Sequence, residues 1–167
     1  MDIFNLKTTN EVCQLLKDNK QTVAVAESCT AGLIQNAFSQ ANEAMTIFQG
    51  GMTVYNLGQK AKHLHVNPIF AQASDSVSNE VAEKMALEVA AAFNAEIGLA
   101  ITGYAQPSKT IGITECYAYI AIAQEAEIVL SKRVSGDEEK SLFENQCIFT
   151  KKVIEELLTF LQPHSKA

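Results

Sequence analysis

Two short apolar runs constrain this chain more than any other feature. Residues 22–27 read Thr-Val-Ala-Val-Ala-Glu and residues 96–102 read Glu-Ile-Gly-Leu-Ala-Ile-Thr. Neither alternates polar with apolar side chains, so each predicts a strand buried on both faces, as in the covered centre of a parallel sheet. The intervening segments have helical spacing. Thr8 and Glu11 resemble a capping box ahead of a first helix over residues 9–19, and Gly32, Leu33, Ile34, Ala37 and Phe38 suit a second over 30–40. Ser78 suits the cap of a long helix, with Glu80 in its first turn and Val81, Met85, Val89 and Phe93 on one stripe.

Three more strands complete the pattern. Residues 47–55 read as one whose glycine pair, Gly50 and Gly51, marks a bulge, and residues 56–64 follow as a short helix or turn. Residues 113–123 alternate as a half-buried strand that residues 127–134 pair with through a polar turn at 124–126. From residue 137 to 161, Phe143, Cys147, Ile154, Leu157, Leu158 and Leu161 recur at helical spacing, and the last six residues read as a frayed tail. This order predicts an α/β three-layer sandwich: a mixed sheet, parallel at its centre and antiparallel at one edge, flanked by helices, with residues 1–167 as one domain.

Composition removes several classes of function. No apolar run reaches the roughly 18 to 20 residues of a membrane span, and the N-terminus lacks the basic and apolar regions of a signal peptide, so a soluble, cytoplasmic protein is expected. A formal charge of −6 and a single arginine, Arg133, argue against a nucleic-acid surface, which needs several phosphate contacts. Cys13, Cys29, Cys116 and Cys147 lie too far apart for a zinc motif or a disulfide framework. His63 and His65 form an H-x-H without further ligands, which reads as a surface feature, so no metal is expected.

In open α/β sheets, ligands collect beyond the carboxyl ends of the strands. Three polar clusters fall there: Glu27, Ser28, Cys29 and Thr30 after the first strand, residues 55–60 after the second, and Thr102, Gly103 and Tyr104 after the third. Ser28 stands where strand turns into helix, and two readings of it stay open. Ser28 or Thr30 can cap the helix, or Ser28 can be a nucleophile whose neighbouring amides hold an anion or oxyanion. A nucleophilic hydroxyl needs a base, and the clusters contain no histidine; a buried lysine can serve. Lys60 is the candidate, with Tyr55 able to relay or orient the proton, against the plainer reading of a solvated lysine and a packed aromatic.

Several ordered segments resemble one family. Residues 26–33, AESCTAGL, are similar to the AESCTGG signature of the C-terminal domain of CinA, the competence/damage-inducible protein, whose stand-alone members include nicotinamide mononucleotide deamidases. GGMTVYNLGQKAKHL resembles the family's G-x-x-x-Y-x-x-x-x-K segment, SVSNEVAEKMA its AVSEEVA helix, GLAITGYAQP its AVTGIAGP loop, and VSGDEE its GDR stretch. The resemblance runs over residues 8–161. It implies an amidohydrolase converting nicotinamide mononucleotide and water to nicotinic acid mononucleotide and ammonia. Ser28 would be the nucleophile, Lys60 the base and Tyr55 its assistant, with Glu27, Cys29, Thr30, Thr102 and Gly103 on the substrate. No metal or redox cofactor is implied, and the partners would be a small-molecule substrate and further copies in a homo-oligomer.

The departures bear on the substrate. Ala31 replaces a signature glycine, a change compatible with a helical backbone there. The glycine-rich extension after residue 107 is cut to Ser108, Lys109 and Thr110, and Glu138 stands where the family has the GDR arginine. Lys109 or Lys140 would have to replace that cation. The alternative function is a catalytically impaired paralogue, a ligand-binding or interaction module.

Overall fold

The Val/Ala alternation of residues 23–26 is an alternation of size rather than polarity, and it organises the molecule. In the computed structural model, which describes residues 3–162, these residues form β1 (Val23–Glu27), all five of them buried. It runs parallel to β2 (Phe48–Thr53) on one side and to β3 (Ile97–Tyr104) on the other. β4 (Tyr117–Gln124) and β5 (Glu127–Ser135) follow antiparallel, giving the order β2-β1-β3-β4-β5. The sheet is mixed, as the sequence predicts.

The larger side chains point to one face. Val23, Val25, Leu99, Ile101, Ile120 and Ile122 pack there against α1 (Leu6–Asp18), α2 (Leu33–Ser39) and α7 (Leu142–Leu161), with Leu16, Phe38 and Phe149 filling the layer. The other face is small: Ala24, Ala26, Ala100, Ala121 and Ala123 receive α6 (Asn79–Phe93) through Val81, Met85 and Val89. Gly98 brings α6 closest, because a Cβ there would collide with the Ala86 carbonyl oxygen. α3 (Ala44–Ile47), α4 (Leu57–Leu64) and α5 (Pro68–Gln72) are short connecting helices. Among the described residues, no helix is long and apolar enough to cross a membrane.

Several boundaries differ from the sequence reading. α1 starts at Leu6, two residues before Thr8, so no capping box forms there; Asn5 is left-handed with φ +51°, and the Thr9 hydroxyl donates back to the carbonyls of Phe4 and Asn5, 3.1 Å each. β4 starts at Tyr117 rather than 113, and α7 at Leu142, where Ser141 and Glu144 form a reciprocal capping box. The glycine bulge of β2 is present: Val23 pairs with Phe48 but Ala24 with Gly50, leaving Gln49 as the extra residue. Of the frayed tail, all but Gln162 lies outside the described residues.

Candidate functional site

The turn between β1 and α2 is built around a buried carboxylate. Glu27 is fully buried, and its Oε2 accepts from the Thr30 hydroxyl at 2.5 Å and the amides of Gly32 and Ile34 at 3.1 and 3.2 Å. Its Oε1 accepts from the Gln35 amide at 2.8 Å. Glu27 therefore caps α2 from the preceding strand, satisfying donors that a helix start leaves unpaired. Neither Ser28 nor Thr30 caps the helix, which starts at residue 33 rather than 30. Ala31 and Gly32 make the reversal with φ of +52° and +99°, so position 31 is left-handed, not helical. The Glu27 carboxylate and the Thr30 hydroxyl, both on residues expected at the substrate, are engaged in this cap, while the Thr30 amide is not.

With the cap supplied elsewhere, Ser28 is released for other use. Its amide donates to the Ile101 carbonyl at 3.1 Å and its own carbonyl accepts from the Ala31 amide at 3.1 Å. Its side chain lines a cleft of about 390 Å³ at the carboxyl ends of β1, β2 and β3. Among the described residues the Ser28 hydroxyl has no hydrogen-bond partner, and the amides of Cys29 and Thr30 have no acceptor apart from the nearby Cys29 sulfur. Burial pushes the Cys29 thiol up to about 12, against the opposing pull of Lys60 and these amides, so it stays protonated at neutral pH. All four cysteines are buried and free.

Lys60 is the buried cation of the cleft. It lies on α4, whose first turn is capped by the Asn56 side chain accepting from the Gln59 amide at 3.1 Å, and it is 2% exposed. Its Nζ donates to the Ser76 carbonyl at 3.2 Å, the Ser76 hydroxyl at 3.0 Å and the Thr102 hydroxyl at 3.0 Å. Thr102 in turn donates to the Ser76 carbonyl at 3.0 Å. Desolvation lowers the Lys60 pKa to about 8, held from falling further by Cys29 and Asp75. Ser28 and Lys60 share the cleft, but no hydrogen bond joins them. Tyr55, 64% exposed, stands at the rim. Gly103 also reaches the wall, and it is glycine because a Cβ would run into the Tyr117 carbonyl and Ala118 of the neighbouring strand.

Sequence reasoning missed the residues that complete the wall. Asp75 and Ser76 are consecutive left-handed residues with φ of +50° and +58°, a rare conformation outside glycine that the surrounding structure must hold in place. The Tyr104 hydroxyl donates to Asp75 Oδ2 at 2.9 Å, and burial followed by that bond raises the phenol pKa. Tyr104 meets Tyr117 edge to face with centroids 5.6 Å apart, and Arg133 lies 4.2 Å above the Tyr117 ring while bonded to Glu115 at 2.7 Å. The polar run at 74–78 was the available signal; its left-handed backbone was not visible in it.

Other expected contributors lie off the cleft. Glu138 accepts from the Cys116 amide at 2.9 Å, and neither it, Lys109 nor Lys140 lines the wall. His63 and His65 are exposed, bonded to Gln59 and Glu88. A second hollow of about 350 Å³ lies between the end of α6 and the β4–β5 turn, lined by five alanines, Leu87 and five polar residues, and it carries no nucleophile beside a base. Of these hollows, the cleft holding Ser28 and Lys60 is the candidate site.

Known proteins resemble the chain over this whole architecture. The sequence model of the family described as CinA C-terminal domain matches residues 5–161. A competence-damage inducible protein of Alkaliphilus metalliredigens is 33% identical over 134 residues, 77% of this chain and 32% of that protein. One of Thermoanaerobacter sp. is 34% identical over 135 residues, again 77% and 32%. The chain thus spans about a third of the length of these curated relatives. Among solved structures, the competence or damage-inducible protein from Enterobacter asburiae superposes with a TM-score of 0.87 at 22% identity, covering 94% of this chain and 98% of that one. The competence/damage inducible protein CihA from Agrobacterium tumefaciens does so with 0.85 at 21%, covering 97% of each. By motif order, matched length and fold, the chain belongs to the CinA C-terminal domain family.

Proposed function

We propose that the cleft hydrolyses a small carboxamide of the nicotinamide mononucleotide type, releasing ammonia. The observation that carries this reading is the Ser28 hydroxyl, unpartnered among the described residues in a cleft beside two amides whose one acceptor there is the Cys29 sulfur, and a buried lysine whose pKa is lowered to about 8. Ser28 Oγ would attack the carboxamide carbon while its proton passes to neutral Lys60, which must turn from Ser76 to receive it. The Cys29 and Thr30 amides would hold the oxyanion. The C–N bond then breaks, ammonia leaves with the proton from Lys60, and water cleaves the Ser28 ester to the acid. Thr102 acts as a positioning residue for Lys60, and Tyr55 covers the substrate from the rim. The family resemblance also supports a homo-oligomer that works on a small molecule, and the formal charge of −6 with a single arginine argues against a nucleic-acid partner.

Ammonia release from nicotinamide mononucleotide and from its riboside tests the reading. Wild type is expected to turn over at least one of them, with kcat/KM rising through a midpoint near 8 as Lys60 loses its proton. Ser28→Ala is expected to lose about a thousandfold or more. Absence of turnover on both would sink the proposal, and turnover surviving in Ser28→Ala would remove the mechanism. One observation favours a second reading, a ligand-binding module without turnover: all three Lys60 bonds go to Ser76 and Thr102, and none to Ser28. Binding without ammonia would select it.

A further inference from the structure

We propose that the cleft takes carboxamides carrying no phosphate, and that Asp75 and Tyr104 set this preference. The inference rests on the reading of the cleft as a carboxamide site and names its substrate class. A phosphate monoester needs donors, best supplied by charged side chains or free helix amides. The charged side chains near the cleft and the start of α2 are already engaged. Lys60 spends its three bonds on Ser76 and Thr102. The first amides of α2 are taken by Glu27, the protein's own carboxylate. At the start of α4, Asn56 takes the Gln59 amide. Arg133 faces Glu115 and lies over Tyr117.

The wall offers acceptors instead. Asp75 Oδ2 holds the Tyr104 hydroxyl, and its Oδ1 has no partner among the described residues. The Tyr104 oxygen, its proton already directed to Asp75, can itself accept. Both face the cleft, and their place is fixed by the left-handed pair at 75 and 76 and by the edge contact of Tyr104 with Tyr117. Such a surface suits sugar hydroxyls and a positively charged ring, and it repels a dianion. A carboxamide riboside with a cationic ring therefore fits where its 5′-phosphate does not.

Calorimetric titration of the Ser28→Ala protein with nicotinamide riboside and with nicotinamide mononucleotide tests this. The riboside is expected to bind about tenfold tighter or more at low salt. The ratio should shrink as salt is raised to about 0.3 M, because repulsion at an exposed carboxylate is screened. Asp75→Asn is expected to bring the two affinities within about threefold, chiefly by improving the phosphate ester, since a lost charge removes its repulsion. Tyr104→Phe, which leaves the carboxylate, should weaken the riboside and preserve the order. Equal or tighter binding of the phosphate ester overturns the inference, as does binding of neither ligand, or a ratio indifferent to both salt and Asp75→Asn. Wild-type ammonia release separates the two proposals. Riboside-selective binding without ammonia removes hydrolysis and leaves the preference standing, whereas hydrolysis of a tightly bound phosphate ester does the reverse.

Discussion

Ala31 sits at φ +52° in the turn that presents Ser28, exposed to solvent, where nothing packed around its methyl group offsets the crowding of Cβ against the backbone. An L-residue in this conformation costs about 1–2 kcal/mol, which glycine avoids, less the entropy glycine loses on folding. Ala31→Gly is therefore expected to stabilise the protein by about 0.5–1 kcal/mol in urea denaturation, opposite in sign to the usual effect of adding a glycine. A helical residue 31 would instead lose stability on that change. At this scale the meeting of Ser28 and Lys60 in one cleft was legible in sequence because both follow strands of the parallel sheet, while a role for Lys60 came only with the family resemblance. The function of Glu27 was not: its amide partners lie five to eight residues away, beyond any local capping pattern. Asp75 and Ser76 were equally hidden, since the Lys60 bonds that give them meaning cross 16 residues of chain.

The β4–β5 hairpin closes through Glu125 and Ala126, both left-handed with φ of +53° and +62°, between the paired residues Gln124 and Glu127. Two positive φ values in a two-residue loop make a type I′ turn, whose preferred residues are Asn-Gly. Replacing Glu125-Ala126 by Asn-Gly should raise stability by about 1 kcal/mol, read as a higher urea midpoint with an unchanged slope. The polar turn itself was predictable, because two β-rich runs flanked it. Strand ends were harder to read: β3 continues through Gly103 and Tyr104, which look like loop residues, because β4 supplies them with the partners Ala118 and Tyr117. The same lateral pairing carries Tyr104 to the cleft wall.

For the whole molecule, buried ionisable groups set the response to alkali. Lys60 falls from 10.5 to about 8 on folding, so between those pH values the unfolded chain holds a proton that the native state has released, and stability rises with pH. Cys13 and Cys29 run the other way, from 9.0 to about 12, so above pH 9 the unfolded chain ionises while the native thiols do not. Two cysteines outweigh one lysine. Stability should climb by about 0.5 kcal/mol between pH 7 and 9, the lysine gain being partly cancelled by the thiols, and fall beyond it. Lys60→Met should abolish the climb and keep the fall; urea midpoints taken across pH 7 to 10.5 check both. One bond also ties the extremes of the fold together, since Gln146 Nε2 of α7 donates to the Cys29 carbonyl at 2.9 Å, 117 residues apart. On a ribosome extending the chain at about 5–20 residues per second, the Ser28 turn emerges on the order of ten seconds before its clamp. Throughout that interval the nascent chain carries Ser28 without the helix that pins it, so the order of the cleft waits on the synthesis of α7.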